Sequence, residues 1–73
     1  MNKRYYYSDE QILEEARLLV YTPGASTYTV ADRLNRAQST VWYHMTHRLK
    51  DLDSELFLKV GMVLRENYKG GGR

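Results

Sequence analysis

"VADRLNRAQSTVWYHMTHRL", Val30 to Leu49, is the stretch whose reading decides the fold. It holds two apolar patterns at helical spacing with a very short gap between them. In the first, Val30, Ala31 and Leu34 line one face of a short helix. Asn35 follows at once, and Asn tolerates the left-handed conformation that closes a helix. The second begins where Ser39-Thr40 reads as a helix start. There Val41, Met45, Leu49 and Leu52 share one stripe, about 80° wide at 100° per residue. Two helices joined by about four residues must cross at a large angle, the helix-turn-helix geometry. Ala31 is small where the two helices approach, and Val41 points into the angle between them.

The same wheel sorts the rings of "WYH". Ser39, Tyr43, Thr46, His47 and Lys50 lie opposite the apolar stripe and are presented outward. His44 flanks the core, and Trp42 sits at the boundary beside Leu49.

Working outward, Ser8-Asp9-Glu10-Gln11 reads as a capping box, with Tyr7 and Ile12 at the positions of a hydrophobic staple. Ile12, Leu13, Ala16, Leu19 and Val20 recur at helical spacing, which predicts helix 1 over Asp9 to Tyr21; Pro23-Gly24 ends it. Ser26 is the better N-cap for helix 2, with Thr29 as a competitor. Beyond helix 3, Asp53 or Ser54 caps a fourth helix through "ELFLKVGMVLRENY". Residues 1–7 form a basic, aromatic arm, residues 8–68 the helical domain, and residues 69–73, "KGGGR", a flexible basic tail. The expected class is all-α: a small four-helix domain containing a helix-turn-helix.

The 73 residues allow one small domain, and 42% apolar content supplies one modest core. There is no Cys, so no disulfide or thiolate metal site reinforces it. No apolar run approaches the ~20 residues that cross a membrane, and no signal-peptide pattern opens the chain, so a cytoplasmic protein is expected. The net charge is only +2, but its distribution is uneven. Between Asp32 and Asp51 no residue is acidic, while Arg33, Arg36, Arg48 and Lys50 all fall there; the acids gather in "SDEQILEEA". This predicts a basic end that faces a polyanion and a separate acidic end.

A helix that presents hydroxyl, phenol, imidazole and ammonium groups suits the major groove of duplex DNA. Base-reading candidates are Gln38, Ser39, Trp42, Tyr43, Thr46 and His47, with Gln38 suited to a paired contact with adenine. Phosphate candidates are Arg33, Arg36, Thr40, Arg48, Lys50, Lys69 and Arg73. About four cations on phosphates would give a log–log salt slope near −4.

These residues resemble the stage III sporulation protein D family, small helix-turn-helix transcription regulators of spore-forming bacteria. The resemblance is carried by "GAST", Ala31, Ser39-Thr40-Val41, "THRL" at Thr46 to Leu49, "DLDSEL", and Val60, Val63 and Leu64, with "NYKGGGR" similar to the family's basic C-terminal segment. It implies a sequence-specific DNA-binding regulator that inserts helix 3 in the major groove, and it matches at Ser39, Thr40, Thr46 and Arg48. Gln38, Trp42 and Tyr43 depart from the residues the family favours, which implies a different base preference. Arg36 occupies a usually aliphatic turn position.

An alternative reading comes from helix 4. Phe57, Leu58, Gly61 and Met62 lie on or beside its off-core face and are candidates for a homodimer or other protein-binding surface. No cofactor is expected. His44, His47 and Asp51 share a helical face but make a poor metal site, and no phosphate loop or nucleophile motif suggests an enzyme.

Overall fold

The structure, a computed structural model, describes residues 7–71, with side chains through residue 67. It is all-α, with four helices and no strand among the described residues. Helix α1 is Asp9–Tyr21 and α2 is Thr27–Leu34. α3 is one continuous rod over 38–52: Gln38–Tyr43 is α-helical, His44–Arg48 is a π-helical turn, and Leu49–Leu52 is α-helical again. α4 is Ser54–Gly71. No helix among the described residues is long and apolar enough to cross a membrane.

The helix starts follow from local chemistry. At α1 the Gln11 N–H donates to Ser8 Oγ at 3.2 Å, and the Ser8 N–H donates to Gln11 Oε1 at 2.8 Å. This reciprocal box satisfies two amides that a helix end otherwise leaves bare. At α2, Ser26 and Thr29 are the two halves of one box instead of rivals: the Thr29 N–H donates to Ser26 Oγ at 3.3 Å and the Ser26 N–H to Thr29 Oγ1 at 3.2 Å. Asp53, not Ser54, caps α4 by accepting the Leu56 N–H at 3.0 Å. α3 starts one residue before its Ser-Thr pair, and its cap residue, Ala37, has no side-chain hydrogen bond to give.

The chain reverses between α2 and α3 through Asn35, left-handed at φ 58°. The Arg36 N–H then donates back to the Ala31 carbonyl at 2.8 Å, closing the α2 end. Gly24, at φ +75°, makes the corresponding turn after α1, where a side chain would be strained.

The core is Ile12, Ala16 and Leu19 of α1, Val30 and Ala31 of α2, Val41, Met45 and Leu49 of α3, and Leu56 and Val60 of α4, with Ala25 between α1 and α2. The α3 register expected from the wheel is therefore the observed one. The π turn has a reason here. A four-residue step overshoots one α turn and undershoots one π turn. The step from Val41 to Met45 and the step from Met45 to Leu49 thus offset each other, and all three side chains reach the core fully buried. Thr46 sits in this turn and donates its hydroxyl to the Trp42 carbonyl at 2.8 Å, a back-bond that bends helices.

Through the middle of the core runs a polar cluster. Glu15 of α1 is 0% exposed. Its Oε2 accepts from Arg36 Nη1 at 2.8 Å and its Oε1 from His44 Nδ1–H at 2.8 Å. Arg36 also donates to the Gln11 carbonyl at 3.3 Å, and its guanidinium lies 4.8 Å from the Tyr7 ring centroid. Tyr7 meets His44 edge to face at 5.3 Å. No buried side-chain polar atom among the described residues lacks a partner. One carboxylate therefore joins α1, the turn and α3.

Removing one partner of such a cluster leaves a buried charge uncompensated. Glu15→Ala is expected to lower unfolding free energy by ~3–5 kcal/mol, enough to unfold much of a domain this small at room temperature. Urea denaturation followed by circular dichroism measures it; a loss below ~1 kcal/mol would mean that the cluster holds nothing together.

Candidate nucleic-acid interface

The outer face of α3 carries a connected polar and aromatic row. Ser39, Trp42, Tyr43, His47 and Lys50 are exposed and Thr46 is half-buried. The Tyr43 and His47 rings stack, with centroids 4.8 Å apart and planes 13° apart. Thr46 Oγ1 lies 2.8 Å from His47 Nδ1. A hydroxyl has one proton, and this one goes to the Trp42 carbonyl. His47 therefore donates its Nδ1–H to Thr46, and its Nε2 is left as an outward acceptor when the ring is neutral. The stack and the hydrogen-bond chain hold one ring ledge in one orientation.

Gln38, at the N-terminal end of the row, is half-buried and donates from Nε2 to Thr27 Oγ1 at 2.8 Å. A carboxamide has two N–H groups and one carbonyl. The bond to Thr27 uses one N–H and fixes the plane of the group. The remaining N–H and Oε1 are the pair that would bond adenine N7 and N6.

The phosphate candidates divide. Arg33 and Lys50 are exposed. Arg48 is partly exposed and lies 3.7 Å from Asp9, an ion pair at the surface that a phosphate can displace. Arg36 is withdrawn: its side chain is 8% exposed and is enclosed by Glu15 and Tyr7, with Glu14 at 3.6 Å. Its cation is needed where a buried carboxylate would otherwise stand unpaired. Thr40 is also withdrawn, buried at the start of α3, because the first turn of α3 packs against α2. The Lys69 side chain and Arg73 lie outside the described residues, as does most of the arm, residues 1–6.

The expected separation of charge is corrected as well. Acidic α1 lies against the basic stretch, where Glu15 takes Arg36 and Asp9 approaches Arg48. The basic surface is smaller than the sequence suggested. His44, flanking the core in the sequence reading, is fully inside and held by Glu15.

Two residues escaped the sequence reading. Glu15 carried a visible signal: with Ile12, Ala16 and Leu19 it occupies an i, i+3, i+4, i+7 stripe, so a charge sits on the buried face. Tyr28, in the first turn of α2, is exposed; no local pattern marks it. Phe57, read with the off-core face of α4, instead packs against the core, while Leu58, Gly61 and Met62 are exposed.

No family model matches the chain, and no curated protein or solved structure matches it either.

The Gln38–Thr27 bond ties α3 to α2 in the free protein. Gln38→Ala is expected to cost ~0.5–1.5 kcal/mol of unfolding free energy, whereas Ser39→Ala, which touches no partner side chain, stays within ~0.5 kcal/mol of wild type. Parallel urea titrations decide this; equal midpoints for Gln38→Ala and wild type would mean that the bond contributes nothing.

Proposed function

We propose that the protein is a sequence-specific duplex DNA-binding transcription regulator that reads the major groove with α3. The observation that carries this reading is the division of α3 into two faces. One face is wholly core. The other presents Ser39, Tyr43, His47 and Lys50 from a helix set at a tight turn, with no acidic side chain between Asp32 and Asp51. The docking logic of this motif puts the N-terminal residues of its second helix at base edges. Gln38, Ser39, Trp42 and Tyr43 hold that place, with Thr46 and His47 one turn on.

Arg33, Arg48 and Lys50 contact phosphates, assisted by the amides of the uncapped first turn of α3. Arg36 positions the turn and does not touch DNA. The resemblance to sporulation regulators supports a bacterial, cytoplasmic regulator of this kind, with a base preference set by Gln38, Trp42 and Tyr43. A second reading, a protein-interaction module that needs no DNA, draws on the exposure of Leu58 and Met62.

Selection of bound duplexes from a random library, followed by titration at several salt concentrations, tests the proposal. Three phosphate-bound cations give an expected log–log slope of about −2.7, shallower than the four-cation reading of the sequence. Gln38→Ala is expected to relax preference at one base pair and to cost ~1–3 kcal/mol on the best site, measured where the variant remains folded. Lys50→Ala weakens all sequences alike and flattens the slope by about one unit. A slope near zero, or equal losses on specific and random duplexes for both variants, would refute α3 as the reader.

A further inference from the structure

The outer face of α4 has no part in the DNA contact proposed for α3. Ser54, Glu55, Leu58, Gly61, Met62 and Arg65 fall within about 120° on a helical wheel, opposite the buried Leu56 and Val60, and all six are exposed. Leu58 and Met62, one turn apart, are 67% and 66% exposed. A Cβ at Gly61 would meet nothing within 4 Å, so the helix backbone is open to close approach there. Among the described residues neither Glu55 nor Arg65 forms an ion pair.

We propose that this face binds a second copy of the chain, with the two α4 helices antiparallel about a two-fold axis at the level of Val60. The register argues for it. A two-fold axis at that level sets each residue opposite the one equally far along on the other side. Leu58 then meets the partner's Met62, and Glu55 meets the partner's Arg65. One symmetry operation places apolar on apolar and acid on base. A parallel pairing would instead set Glu55 against its own copy and Arg65 against its own copy, which repels. That self-complementarity names a second copy as the occupant; an anionic membrane surface would call for a basic face, and Glu55 offsets Arg65 here. The interface is isologous and independent of the DNA reading. It is small, so the dimer is weak, with Kd on the order of 10 µM to 1 mM.

Sedimentation equilibrium of the full chain, without DNA, from about 10 µM to about 1 mM measures it. Wild type is expected to pass from monomer to dimer over that range. Leu58→Lys/Met62→Lys changes two exposed side chains, keeps its helical circular dichroism, and is expected to remain monomeric throughout. Glu55→Arg and Arg65→Glu singly each weaken association by about tenfold through two lost pairs and two new repulsions. Glu55→Arg/Arg65→Glu together restore it, since the pairs re-form with signs exchanged. A wild type that stays monomeric overturns the proposal, as does a dimer indifferent to the Leu58/Met62 change or a double charge variant no better than the singles. None of these outcomes bears on whether α3 binds DNA.

Discussion

The Glu15 carboxylate, sealed from water inside a domain of this size, is the constraint on which the remaining structure depends. A carboxylate in such a place must be matched by opposite charge and hydrogen bonds or it will not stay charged. Arg36 and His44 supply them, one from the turn between α2 and α3 and one from α3 itself. Because α1 packs against each of the other helices, a point fixed on α1 is a point fixed for the whole fold. Apolar side chains of similar volume would hold the same helices with equal or greater stability. What the ionic cluster adds is direction: the short hydrogen bond from His44 to a carboxylate already held by Arg36 favours one rotation of α3 about its axis, whereas an apolar contact tolerates several.

That rotation governs what α3 presents. With His44 drawn in to Glu15, its neighbours Tyr43 and His47 are turned outward and stack. The π turn contributes at the same place, keeping Val41, Met45 and Leu49 together on the inner side while Thr46 links the Trp42 carbonyl to His47. The cluster also removes a cation from the surface. Arg36 stands in the middle of the basic stretch, yet its charge is neutralised internally, which leaves fewer cations on the surface.

How much of this was legible in the sequence depended on range. The caps at Ser8 and Ser26, the left-handed Asn35 and the inner stripe of α3 are local: each arises from residues a few positions apart, and each was readable. The outer row of α3 was readable for the same reason, since the wheel that assigns the core assigns its complement. The Glu15 cluster was not, because its partners lie 21 and 29 residues away, and charge counts treat a buried cation and a free one alike. On that account Arg36 reads from the sequence as a phosphate contact, whereas Thr40 does so only by its hydroxyl. The π turn had no Pro or Gly to announce it. The one available hint, a carboxylate within an otherwise apolar stripe of α1, pointed to Glu15 without naming what it would bind.

The claim at the centre of this account is that the outer face of α3, held by Glu15, is where DNA is met. Trp42 is the single tryptophan of the chain and stands on that helix, 47% exposed, so its emission reports on that face alone. The direct measurement is a titration with a dye-labelled duplex, recording Trp42 fluorescence and dye anisotropy in the same samples. The account predicts that Trp42 emission is quenched or blue-shifted in step with the rise in anisotropy. A rise in anisotropy with Trp42 emission unchanged, or no rise at low salt, would contradict it.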